Sequence, residues 1–145
     1  MVPKLTLALR LARRFPDNPS LLAELREDKT IRRTIDAYDF LTGVAREGRT
    51  VTVADVAAAV KLPLSGTAQA ANAKAVATIL AALTTYDFEE ATPILTTLVL
   101  RKADKRPPPA FFALIDEMGL LAPYDDEDSF VTDETTRVHK NWVVA

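Results

Sequence analysis

The chain has 145 residues, of which 48% are apolar and 26% charged, and its net charge is −2. This length and balance predict one soluble domain, 1–145, able to bury a core of its own. There is no cysteine, which excludes disulfides, thiolate metal sites and thiol nucleophiles and makes a cytoplasmic location the default.

Charge is unevenly distributed. Residues 1–50 carry 10 Lys and Arg against 7 Asp and Glu, and residues 51–145 carry 8 against 13. The overall field is weakly repulsive to a polyanion, so any nucleic acid would have to meet a local patch. No apolar run approaches the roughly 20 residues that span a bilayer, and no membrane partner is expected. Lys4 with Leu5 to Leu11 superficially resembles a signal peptide. Arg10, Arg13 and Arg14 interrupt it, and no small-residue cleavage site follows.

In chain order, Val2 to Phe15 shows helical spacing of Leu5, Leu9 and either Ala8 or Ala12. Pro16-Asp17-Asn18-Pro19 breaks it, with Asn18 as cap and Pro19 as first residue of a helix through Leu21, Leu22 and Leu25 that frays near Asp28. A third helix is predicted from near Thr30 to about Arg46, with the stripe Ile31, Ile35, Tyr38 and Leu41 or Thr42, Ala45 beyond, and Gly48 as its stop. Arg32 and Asp36, spaced i,i+4, read as a solvated ion pair on its outer face. These helices form an N-terminal layer over residues 1–49.

Thr52 and Asp55 make a capping-box signal for a short helix, Val53 to Val60. Leu62-Pro63 ends it, and Ser65-Gly66-Thr67 supplies a turn with Thr67 as cap. A long alanine-rich helix follows from about Ala68 to Tyr86, its buried stripe being Ala73, Val76, Ile79, Leu80 and Leu83. Ile94 to Leu100 reads as a mostly buried strand. Its expected partners are Thr50 to Thr52 and a return strand near Pro109 to Phe112, or else the segment around Phe130. Arg101 to Pro109 is a basic loop stiffened by three prolines. Residues 113–145 form a C-terminal helical segment. A short helix is predicted over Phe111 to Met118, then an acidic loop from Pro123 to Asp128. The tail from Phe130 to Val144 is anchored by Val131, Val138 and Trp142, with helix from Asp133.

Chemistry finds little to work with. His139 is the only histidine, and no serine sits in a G-x-S-x-G elbow. Asp125, Asp126 and Asp128 lack the glycine and distal glutamate of a calcium loop. Glu89-Glu90 and Asp116-Glu117 are adjacent rather than opposed. No phosphate-binding glycine pattern occurs. Neither catalytic residues, nor a metal, nor a cofactor is expected.

What survives is electrostatic. Arg101, Lys102, Lys105 and Arg106 crowd one loop, and Lys61 and Lys74 flank the turn between the short and long helices. Gln69 and Asn72 lie near the start of the long helix, where such side chains suit adenine, while the loop cations suit phosphate.

The order helix, turn, helix, strand and basic loop over residues 50–112 is that of a winged helix-turn-helix core. Val51-Thr-Val-Ala-Asp-Val-Ala-Ala-Ala-Val60, the long helix and Pro93 resemble the DNA-binding domain of alkylguanine alkyltransferases and alkyltransferase-like proteins. That family places an acceptor-cysteine motif after a proline. Here Pro93 is followed by Ile94, Leu95 and Thr96, so the resemblance implies a fold and no alkyl transfer. Pro93 to Arg101 with Pro109-Ala-Phe-Phe112 is similar to a segment of small uncharacterised bacterial and phage proteins.

The expected fold is therefore α+β and mostly helical, with a winged helix-turn-helix core, an N-terminal helical layer and a small β-sheet. The expected function is non-enzymatic binding to double-stranded DNA, regulatory or accessory to a defence or mobile-element system. The alternative is a protein-interaction module that takes a helical partner or a second copy on the same surface.

Overall fold

The longest helix, α5 (Gln69–Glu89), packs along α1 (Val2–Arg14) more extensively than any other two elements pack together. This computed structural model describes residues 2–143; Val144, the expected end of the tail, lies outside them. The described residues form an α+β, mostly helical fold of seven helices and one two-stranded sheet.

Local chemistry sets the boundaries. Asn18 Oδ1 accepts the Leu21 N–H at 3.0 Å and Pro19 opens α2 (Pro19–Arg26), as expected. Asp28 proves to be the N-cap of α3 (Lys29–Arg46), accepting from Thr30 and Ile31 at 2.9 and 3.0 Å. It is therefore a start signal as well as the point where α2 has ended. Gly48, at φ +68°, ends α3 in the left-handed region. Asp36 pairs with Arg26 at 2.6 Å and not with Arg32, because α2 folds back against α3 and brings a guanidinium closer.

The capping box on α4 (Val53–Ala59) is complete. Asp55 N–H donates to Thr52 Oγ1 at 3.1 Å, and Thr52 N–H to Asp55 Oδ2 at 3.0 Å. Thr67 does not cap α5. Gly66 turns the chain at φ +75°, its carbonyl accepts the Gln69 N–H, and the helix starts after Ala68 with no side-chain cap. Nor is Ala73 on the buried stripe; it is exposed, one turn before the core residues Val76 and Ile79.

The strand expected over Ile94 to Leu100 is mostly a 3-10 turn, Leu95–Leu98, followed by a two-residue strand, β2 (Val99–Leu100). The reason lies in two buried carboxylates. Glu134 Oε2 accepts the Ile94 N–H at 2.7 Å, and Asp87 Oδ2 accepts the Leu95 N–H at 2.9 Å. Side chains from two helices thus satisfy amides that a strand would have offered to a neighbour. β2 pairs in parallel with β1 (Val51–Thr52), in the register Val51 to Val99 and Thr52 to Leu100, so the expected partner at Thr50 to Thr52 is present.

The return strand expected near Pro109 to Phe112 is instead the start of α6 (Pro109–Glu117). Pro108 is extended and Pro109 sits in the first turn, where its missing N–H costs nothing. Helix α7 (Glu127–Trp142) begins before Asp133 and takes in part of the expected acidic loop. Asp126 caps it by accepting the Ser129 N–H at 2.7 Å, and Glu127 and Asp128 lie in a first turn whose dipole favours acids.

The main core joins Leu5 and Leu9 of α1, Leu41 and Val44 of α3, Val56 of α4, Val76, Ile79 and Leu83 of α5, and Leu95, Leu98, Val99 and Val138. A second, smaller cluster gathers Ile94, Phe111, Phe112, Ile115 and Phe130. No helix among the described residues is long and apolar enough to cross a membrane.

Candidate functional site

Helix α5 is apolar on two faces. Val76, Ile79, Ala82, Leu83 and Tyr86 face the core. The side carrying Ala73, Ala77, Leu80, Ala81 and Thr84 forms one wall of a groove of about 500 Å³. The other walls come from Thr52 to Ala54 at the start of α4, from the loop at Arg101 to Ala103 and Pro108, and from Ala110, Phe111 and Leu114 of α6. From Ala73 to Thr84 the groove follows α5 for about 16 Å, or three turns.

The groove is almost wholly apolar. Its floor hydroxyls are already engaged: Thr84 donates to the Leu80 carbonyl at 2.8 Å, and Thr84 and Thr96 hydrogen-bond to each other. Arg101 and Lys102 are the only ionisable side chains in the lining. Ala54, Ala73, Ala77, Ala103 and Ala110 are exposed along it, so it is an open channel with low walls and not a closed cavity.

Of the eight residues singled out from the sequence, Arg101 and Lys102 line this groove, and the eight differ in freedom. Arg101 forms an ion pair with Asp104, and the guanidinium holds the exposed Asp104 carboxyl below the usual range. Arg106 is bound at 3.1 and 3.0 Å to Glu127 and Asp128 at the start of α7, and it stacks 5.3 Å from the Phe112 ring. Two of the four loop cations are thus neutralised within the fold. Lys102 and Lys105 are exposed, and neither forms an ion pair among the described residues; Lys105 holds φ +54°.

On the helix side, Asn72 Nδ2 donates to the Pro63 carbonyl at 2.9 Å, so this amide braces the turn it was expected to project from. Gln69 and Lys74 are exposed on the first turns of α5, and Lys61, exposed at φ +61°, lies beyond the end of α4. Ala73 and Ala77 on one wall and Arg101 and Lys102 on another put the apolar groove between the helix start and the basic loop. The loop cations Arg101 and Lys102 therefore border an oily channel.

No known family, curated protein or solved structure matches this chain. The functional reading accordingly rests on geometry.

Two groups that sequence reasoning passed over are the buried acids Asp87 and Glu134. Burial pushes the Asp87 carboxyl up to about 7, although the Leu95 N–H, the Thr92 hydroxyl at 3.0 Å and Tyr38 pull the other way. Tyr38 is itself pushed well above its ordinary value by burial and by the Asp87 charge. Arg13 stacks 4.6 Å from the Tyr38 ring. Both acids hold backbone in place and neither opens onto the groove. The only signal for them in the sequence is an acid at a position where helical periodicity calls for an apolar residue. His139, expected at the surface near Trp142, is half-buried, with Nε2 3.0 Å from the Arg49 carbonyl oxygen.

Proposed function

We propose that this protein is a non-enzymatic interaction module and that the α5 groove receives an amphipathic helix from a partner protein. The single observation that carries the reading is an open apolar channel about three helical turns long. Recognition of a helix in a groove uses aliphatic anchors at i, i+3 or i+4, and i+7, which need a channel of this length. The exposed alanines support it, since small side chains let a helix backbone approach closely. A small apolar ligand would be buried on most of its surface, which such low walls do not provide.

The order α3, β1, α4, turn, α5, β2 and basic loop supports reading residues 50–112 as a winged-helix type of core. In that reading α5 is the second helix of the motif, and the loop from Arg101 stands in the position of a wing. DNA binding draws its support from Lys102 and Lys105, exposed without acidic partners, and from Gln69 and Lys74 at the start of α5. Against it stand the net charge, the neutralised Arg101 and Arg106, the engaged Asn72, and an apolar channel where a wet, polar contact would be needed.

Selection of helical peptides from a displayed library on the folded protein tests the choice. The expected result is enrichment of sequences with aliphatic residues at helical spacing, whose binding is abolished by Ala77→Arg while the thermal midpoint stays within a few degrees. Failure of any peptide to enrich, or binding indifferent to Ala77→Arg, sinks the proposal. In parallel, duplex DNA should not bind even at low salt. Steep, salt-sensitive duplex binding weakened by Lys102→Ala and Lys105→Ala would replace the helix reading with the DNA one.

A further inference from the structure

The structure assigns a charge pattern to the occupant of the α5 groove: we infer that the partner helix carries carboxylates along its flank, facing Arg101 and Lys102. The inference rests on the helix-binding reading and adds to it the chemistry that selects one amphipathic helix over another. No acid lines the groove, and both ionisable residues that do are cations. Lys102 has no ion-pair partner among the described residues, and Lys105 adds a second exposed cation in the same loop. A basic-flanked helix would meet two like charges beside a low-dielectric wall, which raises the cost of their repulsion.

Arg101 supplies the more specific argument. Its guanidinium is held by Asp104 three residues along the loop, and Asp104 also accepts the Arg106 N–H at 3.2 Å. Both partners of this pair are substantially exposed, so Asp104 is an internal stand-in that an incoming carboxylate can displace without leaving a buried charge behind. The flank contacts are partly solvated, so they tune specificity and arrival rate more than total affinity.

The experiment starts from peptides whose binding is abolished by Ala77→Arg. These are sorted by flank charge and then remade with Gln at each acidic flank position. We expect acidic flanks to predominate, and the Gln remakes to bind about five- to tenfold more weakly at low salt, the gap narrowing as salt rises. The double variant Arg101→Gln with Lys102→Gln should close the gap between the acidic parents and their Gln remakes. Asp104→Asn should strengthen the acidic peptides alone, by about two- to threefold. Groove-dependent peptides with neutral or basic flanks, or remakes that bind as well as their parents, overturn the inference and leave helix binding standing. A selection that yields no groove-dependent peptide overturns helix binding itself.

Discussion

At Asp87, burial and hydrogen bonding act in opposite directions, and burial prevails. The group's folded value of about 7 lies above that of an unfolded aspartate. Between about pH 4 and pH 7 the native state therefore keeps a proton that the unfolded chain has lost. Stability contributed by this group is fully present at low pH, declines as pH rises through that window, and levels off above it. Asp39, also raised by burial, acts in the same sense. The lowered carboxyls Asp28, Asp104 and Asp126 oppose it only below their unfolded values, near pH 4. Urea denaturation should show greater stability at about pH 5 than at about pH 7.5, by on the order of 1–3 kcal/mol. Asp87→Asn, which keeps an acceptor for the Leu95 N–H, should flatten the profile. A wild-type profile that climbs from pH 5 to pH 7.5 would contradict this account. Glu134 makes the complementary case. Glu134→Ala strips the buried Ile94 N–H of its acceptor and leaves a void, and should cost about 2–4 kcal/mol by chemical denaturation, whereas Glu134→Gln should recover most of it.

Elements whose signals are local were legible in the sequence. The Asn18-Pro19 start, the Gly48 stop and the Thr52/Asp55 capping box all depend on side chains within four residues of the backbone they satisfy. Removing one half of the box with Thr52→Ala should cost about 1 kcal/mol and show as a lowered thermal midpoint. The segment Ile94 to Leu100 was not legible, because its conformation is decided by side-chain acceptors, Asp87 at the end of α5 and Glu134 in α7, forty residues beyond Ile94. A short apolar run reads alike whether it pairs as a strand or turns inside a core. The same distance effect hid the site. Asp104, three residues from Arg101, is the one acid visible in the loop, whereas only the folded chain brings Glu127 and Asp128 onto Arg106. Ala73 was placed in the core by periodicity. An alanine facing a groove and an alanine facing a core are indistinguishable by composition.

Across the whole molecule, the two clusters of buried side chains differ in size and support. The main core ties α1, α3, α4 and α5 together, whereas Ile94, Phe111, Phe112, Ile115 and Phe130 form a smaller unit. Helix α6 touches α5 only lightly, and it also forms a wall of the groove. Hydrogen exchange should therefore find α6 amides opening at lower free energy than those of α3 and α5. Equal protection in α6 and α5 would show one cooperative unit instead. On peptide binding, α6 protection should rise, since an occupant bridges it to α5.

The strand pair has a bearing on how the chain assembles. Val51 and Val99 pair in parallel across everything from α4 to the 3-10 turn. Bringing them together requires that whole span to be largely in place, because the entropy of closing so long a loop comes before any reward from the pairing. The two-residue ladder is therefore expected to form after the transition state for folding. Val99→Ala should hasten unfolding and leave the folding rate nearly untouched. The basic loop and one wall of the groove hang from β2, so a chain still being made should complete the groove only at the close of folding.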